Sequence, residues 1–133
     1  MIDQANVPDV GAEETLARYV VHSSHIRRSN QTLKPDTFIP HPYRDLSVTR
    51  HLLAIEEELW SVGEDVADAS GKTLYGRGDI RVTVCTGQQL LVQAKPTSNN
   101  PNHADVTGWP ADKPAQKIIA QEIAATAVFV AKG

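Results

Sequence analysis

Between Asn99 and Pro110 the side chains of His103, Asp105, Thr107 and Trp109 recur at every second position. A histidine moves a proton near neutral pH, a carboxylate accepts or orients one, and an indole stacks on a planar ligand. Pro101, Gly108 and Pro110 control the backbone that carries them. The same composition also suits a fastened structural loop, with Asn102 and Asp105 bonding their own backbone and Trp109 packing inward. Directly after the loop, Lys113 opens a helix whose first amides can hold an anion.

A second dense stretch is His22-Ser23-Ser24-His25-Ile26-Arg27-Arg28. A guanidinium grips a phosphate through parallel hydrogen bonds. If His25 faced His103 across a cleft with Arg27 or Arg50 between them, the two histidines would form an acid/base pair around an anionic centre. The plainer reading ends a helix at Ser23 and Ser24 and pairs Arg27 and Arg28 with Glu56, Glu57 and Glu58. A third rim is Tyr75-Gly76-Arg77-Gly78-Asp79, where two glycines free the backbone and Tyr75 and Arg77 can project toward a ligand. Its alternative is an ordinary loop with Arg77 and Asp79 in local contact.

Other patterns carry less. Gly71-Lys72-Thr73 resembles the end of a phosphate-binding loop, but it follows a helical pattern and Val66 stands where that motif needs glycine. His22 and His25 supply one spaced pair, short of the three or four ligands a zinc ion wants, so neither metal nor cofactor is expected. Cys85 is the only cysteine, which excludes an internal disulfide, and its alternation with Arg81 and Thr83 suggests a semi-exposed strand position.

Positioning these groups falls to a chain of 133 residues, enough for one domain with a real core. Hydrophobic residues at 41% and charged residues at 22% match a globular domain. The net charge of -3 argues against a duplex-DNA binder, although His22 to His51 is locally basic and Glu56 to Asp68 is acidic. Residues 1–11 read as a flexible arm without a secretory signal, and the apolar stretch near Ala124 to Ala131 is too short to span a membrane.

From Ala12 to His22, the spacing of Leu16, Tyr19 and Val20 predicts a helix. Ser23 to Pro42 is irregular, with Phe38 and Ile39 entering the core. Leu46 to Arg50 alternates as a strand. Ile55, Leu59, Val62 and Val66 make the apolar stripe of a following helix, weakened by Gly63 and ended by Gly71. Asp79 to Cys85 and Gln89 to Ala94, joined by Thr86-Gly87-Gln88, predict a hairpin. A brief strand over Ala104 to Thr107 and a helix from Pro114 to Val130, capped by Asp112, complete the chain. The fold class expected is α+β, a single domain over residues 12–133 with a small, mainly antiparallel sheet covered by about three helices.

The blocks Leu46-Ser47-Val48-Thr49-Arg50, Tyr75-Gly76-Arg77-Gly78-Asp79, Asn100-Pro101-Asn102-His103-Ala104 and Gly108-Trp109-Pro110 together resemble a family of small, uncharacterised bacterial proteins. The resemblance runs from about Leu16 to Ala127 and implies a bacterial, cytoplasmic origin without assigning any activity. Two functional expectations follow. One is a binding or accessory module that recognises a protein partner or an anionic ligand through Arg27, Arg50, Tyr75, Arg77, Asp105, Trp109 and Lys113. The other is a metal-independent enzyme acting on a nucleotide or nucleic-acid phosphate, with His25 and His103 exchanging the proton.

Overall fold

A computed structural model of the chain describes residues 3–133. In chain order its elements are β1 (Thr15–Val20), β2 (Ile26–Arg27), β3 (Thr32–Leu33), β4 (Leu46–Arg50), α1 (Glu56–Ala69), β5 (Gly76–Arg81), the short helix α2 (Val82–Gly87), β6 (Leu91–Ala94), β7 (His103–Thr107), α3 (Lys113–Thr126) and β8 (Val128–Ala131). Six strands form one sheet in the order β6-β7-β4-β1-β5-β8, while β2 and β3 pair separately. Every pairing is antiparallel. The molecule is a single small α+β domain, with three α-helices among the described residues.

Register assigns the two faces of the sheet. Leu16 lies opposite Arg50 and Ile80, while Leu46 and Val48 lie opposite Val106 and Ala104. These apolar side chains meet Phe38, Val82, Cys85, Ala120 and Ile123 in one core. Complete burial of a side chain such as Leu16 contributes about 1.5–3 kcal/mol. The opposite face carries Tyr19 beneath α1, with the phenol donating to the Leu59 carbonyl at 2.6 Å. Gly63 is where that ring fits, since a Cβ there would stand 2.8 Å from two Tyr19 ring carbons. The glycine that weakens α1 intrinsically therefore permits its docking. Gly71, at φ +66°, follows the helix in the left-handed conformation.

Three expectations are corrected. Residues 15–20 form a strand, not part of a helix over 12–22. Both faces of β1 are covered, so Leu16, Ala17, Tyr19 and Val20 place apolar residues at consecutive positions and imitate helical spacing. The hairpin over 79–94 does not form. β5 ends at Arg81, α2 turns the chain, and β7, β4 and β1 separate β6 from β5 in the sheet. Cys85 consequently lies fully buried on α2, and burial pushes its thiol up to about 11. Finally, α3 stops at Thr126 and the segment beyond it, where Val128, Phe129 and Val130 favour extended backbone, becomes the edge strand β8. The Asp112 cap does form, accepting from the Ala115 amide at 3.1 Å.

Of the arm over residues 1–11, Met1 and Ile2 lie outside the described residues. The rest is tied to the domain: Arg50 donates to the carbonyls of Pro8 and Asp9 at 2.7 and 3.2 Å, and Gln4 reaches Pro96 O at 3.4 Å. No helix among the described residues is long and apolar enough to cross a membrane.

Candidate functional site

Arg18 occupies an unusual place in β1, alternating with Leu16 and Val20 on the core side of the strand. β1 and β4 pair only through Leu16 with Arg50 and Ala17 with Thr49. Beyond Ala17 the guanidinium bridges to β4, with Nη1 donating to the Ser47 carbonyl at 3.0 Å and Nε donating to the Thr37 carbonyl at 3.0 Å. The turn that supplies Thr37 approaches because β5 has Gly78 opposite Arg18; a Cβ on Gly78 would lie 2.5 Å from Leu33 Cδ1 and 3.0 Å from Phe38 Cζ.

Two carbonyl acceptors leave the cation without a counter-charge. Among the described residues, no carboxylate lies within ion-pair distance of Arg18. Burial pushes its pKa down to about 10, so it remains charged at neutral pH while poorly solvated. Beside it, Thr37 is only 2% exposed and its hydroxyl has no hydrogen-bond partner among the described residues.

Both residues line a cavity of about 330 Å³ whose other polar walls include His22, His25, His41 and Lys113. Asp36 is the acidic residue of the lining. The rings of His22 and His25 are 4.8 Å apart and tilted by 55°. Burial, then the neighbouring His22, lowers the His25 pKa; Asp36 opposes this, and Arg18 and Lys34 add to it. The first turn of α3 stands at the wall, bringing the positive end of its dipole to the same side.

Two further depressions share Arg18. One of about 140 Å³ contains His103, Asn100 and Thr49. The other, about 420 Å³, contains Asp105, Tyr43 and Arg44. Thus His25 and His103 line neighbouring cavities rather than a common one, with Arg18 in the lining of each. His103 Nδ1 lies 3.0 Å from the Lys95 carbonyl, and its Nε2 is 3.7 Å from Asp105, beyond a good hydrogen bond.

The other residues singled out in the sequence divide by location. Lys113 lines the Arg18 cavity, and Trp109 lines an adjoining trough that also includes His41 and Tyr43. Trp109 donates from Nε1 to the Val106 carbonyl at 2.9 Å. Arg27 donates to Leu33 O at 2.8 Å and fastens the β2–β3 ladder instead of pairing with Glu56 to Glu58. Tyr75 is 38% exposed, its amide paired with Val20 O at 2.8 Å. It stands outside the Arg18 cavity.

Arg50 and Arg77, which the sequence offers as ligand-binding residues, are both buried and paired with carboxylates. Arg50, 1% exposed, contacts both Glu14 carboxylate oxygens at 2.7 and 2.8 Å. Burial alone would raise the Glu14 pKa, but hydrogen bonds from Arg50 and the Gly11 amide hold it below the usual carboxylate value. Arg77 grips Glu56 at 2.8 and 3.0 Å, reaches Asp79 at 3.0 Å and lies 4.7 Å from the centre of the Trp60 ring. Asp79 also meets His51 Nε2 at 3.0 Å.

Arg18, Thr37, His41 and Tyr43 received no role in the sequence reading. Alternation of Arg18 between Leu16 and Val20 carried a signal once those residues are placed on a strand; the helical reading concealed it. Asn100 also belongs to a fastened loop, since its amide group donates to Thr49 Oγ1 at 3.0 Å and accepts from Asn102 N at 3.1 Å. No three His, Cys, Asp or Glu side chains among the described residues are grouped to hold a metal ion. No family model, curated protein or solved structure matches this chain.

Proposed function

We propose that the protein is a small binding module whose cavity at Arg18 takes an anionic ligand. The observation that carries this reading is the half-buried guanidinium without a carboxylate partner, set among basic side chains. A bound anion would supply the counter-charge that the partly desolvated guanidinium lacks and form charge-assisted hydrogen bonds with it. Thr37 adds an unpartnered hydroxyl in the same wall. The acid/base alternative has weaker support because His25 and His103 line separate cavities.

Thermal-shift titration with inorganic phosphate and pyrophosphate tests the reading, using the full chain and Arg18→Met in parallel. Saturation at 100 times Kd would stabilise the intact protein by about 2.7 kcal/mol, with no corresponding gain in Arg18→Met. Equal stabilisation of both proteins would overturn it. A protein-partner reading draws on a different feature, the exposed Leu52, Leu53 and Ile55 between β4 and α1. Failure of anion binding together with a specific partner contact there would favour that alternative.

A further inference from the structure

The Arg18 cavity does not end at His41 and Tyr43. Both residues also line a trough of about 600 Å³, where they are joined by Pro42, Trp109 and Pro110. The two spaces therefore share a wall. The trough combines two aromatic side chains with polar edges at Arg44 and Asp45.

Its frame is organised from within the domain. Gln116, only 3% exposed, accepts from the His41 amide at 3.2 Å and donates to the Pro110 carbonyl at 2.9 Å. One side chain from α3 thereby connects the segments on which Tyr43 and Trp109 are carried. Trp109 is also held through its indole bond to Val106. Tyr43, in contrast, is 76% exposed and so contributes an accessible aromatic surface.

We propose that this trough is the ring-binding part of the same site, which takes a phosphate monoester of nucleoside-monophosphate size with its phosphate at Arg18 and its heteroaromatic ring beside Tyr43 and Trp109. The assignment rests on the anion reading above and specifies its ligand. Arg18, His22, His25, His41 and Lys113 outnumber the one carboxylate of the lining, Asp36, and offer more donors than a two-oxygen carboxylate uses, so three terminal oxygens suit that arrangement better. A heteroaromatic ring matches the neighbouring trough because stacking uses its face while hydrogen bonding uses its polar edge. A purely apolar ring would leave Arg44 and Asp45 without that complementarity.

Calorimetric titrations of the full chain with AMP, ribose 5-phosphate and adenosine separate the contributions. AMP is expected to bind about tenfold more tightly than ribose 5-phosphate, and Tyr43→Ala to erase most of that difference. Trp109→Phe, which keeps a ring, should retain more of the preference than Tyr43→Ala. Arg18→Met should abolish binding of both phosphates. Equal affinities for AMP and ribose 5-phosphate, both dependent on Arg18, would overturn the ring subsite while leaving the anion site in place. Adenosine binding as tightly as AMP regardless of Arg18 would overturn the link between the two spaces. Binding of neither phosphate would overturn both readings for phosphate ligands.

Discussion

Arg50 and Arg18 lie on neighbouring central strands but solve burial differently. Arg50 meets the Glu14 carboxylate through two nitrogens and adds the carbonyls of Pro8 and Asp9. Among the described residues, Arg18 has only the carbonyls of Thr37 and Ser47. A paired guanidinium can fasten a terminal segment to a sheet, whereas one bordered by cavities retains unspent binding capacity. The difference separates an arginine whose carboxylate partner comes from within the fold from one that, in the function proposed above, a ligand would complete.

The contrast breaks most severely at Glu14. Replacing it with Ala would strand the buried Arg50 cation and destabilise the domain by about 3–5 kcal/mol in urea unfolding. A loss below about 1 kcal/mol would place Arg50 among the weakly committed cations instead. The Arg77 cluster provides the next comparison: Arg77→Met removes its two carboxylate contacts and leaves Asp79 with His51. An expected loss of about 2 kcal/mol, measured in the same way, is smaller because Glu56 is largely exposed. By contrast, Arg18→Met should change stability by no more than about 1 kcal/mol, since removing an uncompensated charge offsets two lost hydrogen bonds. Its effect should appear in anion binding instead.

Gly63 sharpens the same comparison from the packing side. Gly63→Ala places a methyl against Tyr19 and Leu74 and should destabilise the chain by about 1–3 kcal/mol. Phosphate affinity at Arg18 should change in the surviving folded fraction only as far as Tyr19, which also lines that cavity, is displaced. Equilibrium unfolding and phosphate titration together distinguish this packing loss from damage to the cavity.

Local rules made much of the frame legible. β4 follows from the alternation around Leu46 and Val48, and α3 begins where Asp112 and Pro114 specify its first turn. β1 was obscured because both its faces are covered, while α2 interrupted what resembled the first strand of a hairpin through two buried positions, Val82 and Cys85. Neither feature is local to a short sequence window. The candidate site depended on the same missing information: His25 and Lys113 could be chosen by residue type, but Arg18 and Thr37 became meaningful only when β1 met the 35–38 turn. Arg50 and Arg77 presented the reverse difficulty. Their charges suggested ligands, but residues distant in sequence had already supplied their partners.

The smallest predicted effect concerns acid, and its sign follows from His25. Burial and the adjacent His22 hold its folded pKa below 6.5, assisted by Arg18 and Lys34 and opposed by Asp36. As pH falls from that reference value through the lower folded pKa, the unfolded chain binds more protons, so the empty protein loses stability. An anion at Arg18 favours His25 in its charged form, and phosphate should therefore bind a few-fold more tightly as pH falls from about 7.5 to about 5.5, beyond the change due to phosphate's own protonation. Comparing the intact chain with His25→Gln by calorimetry isolates that increment, because phosphate titrates identically in both experiments. The intact chain should show the additional low-pH gain and His25→Gln should lack it. Identical pH profiles would mean that the anion does not feel the His25 proton, restricting the electrostatic site to Arg18 and the groups on its other side.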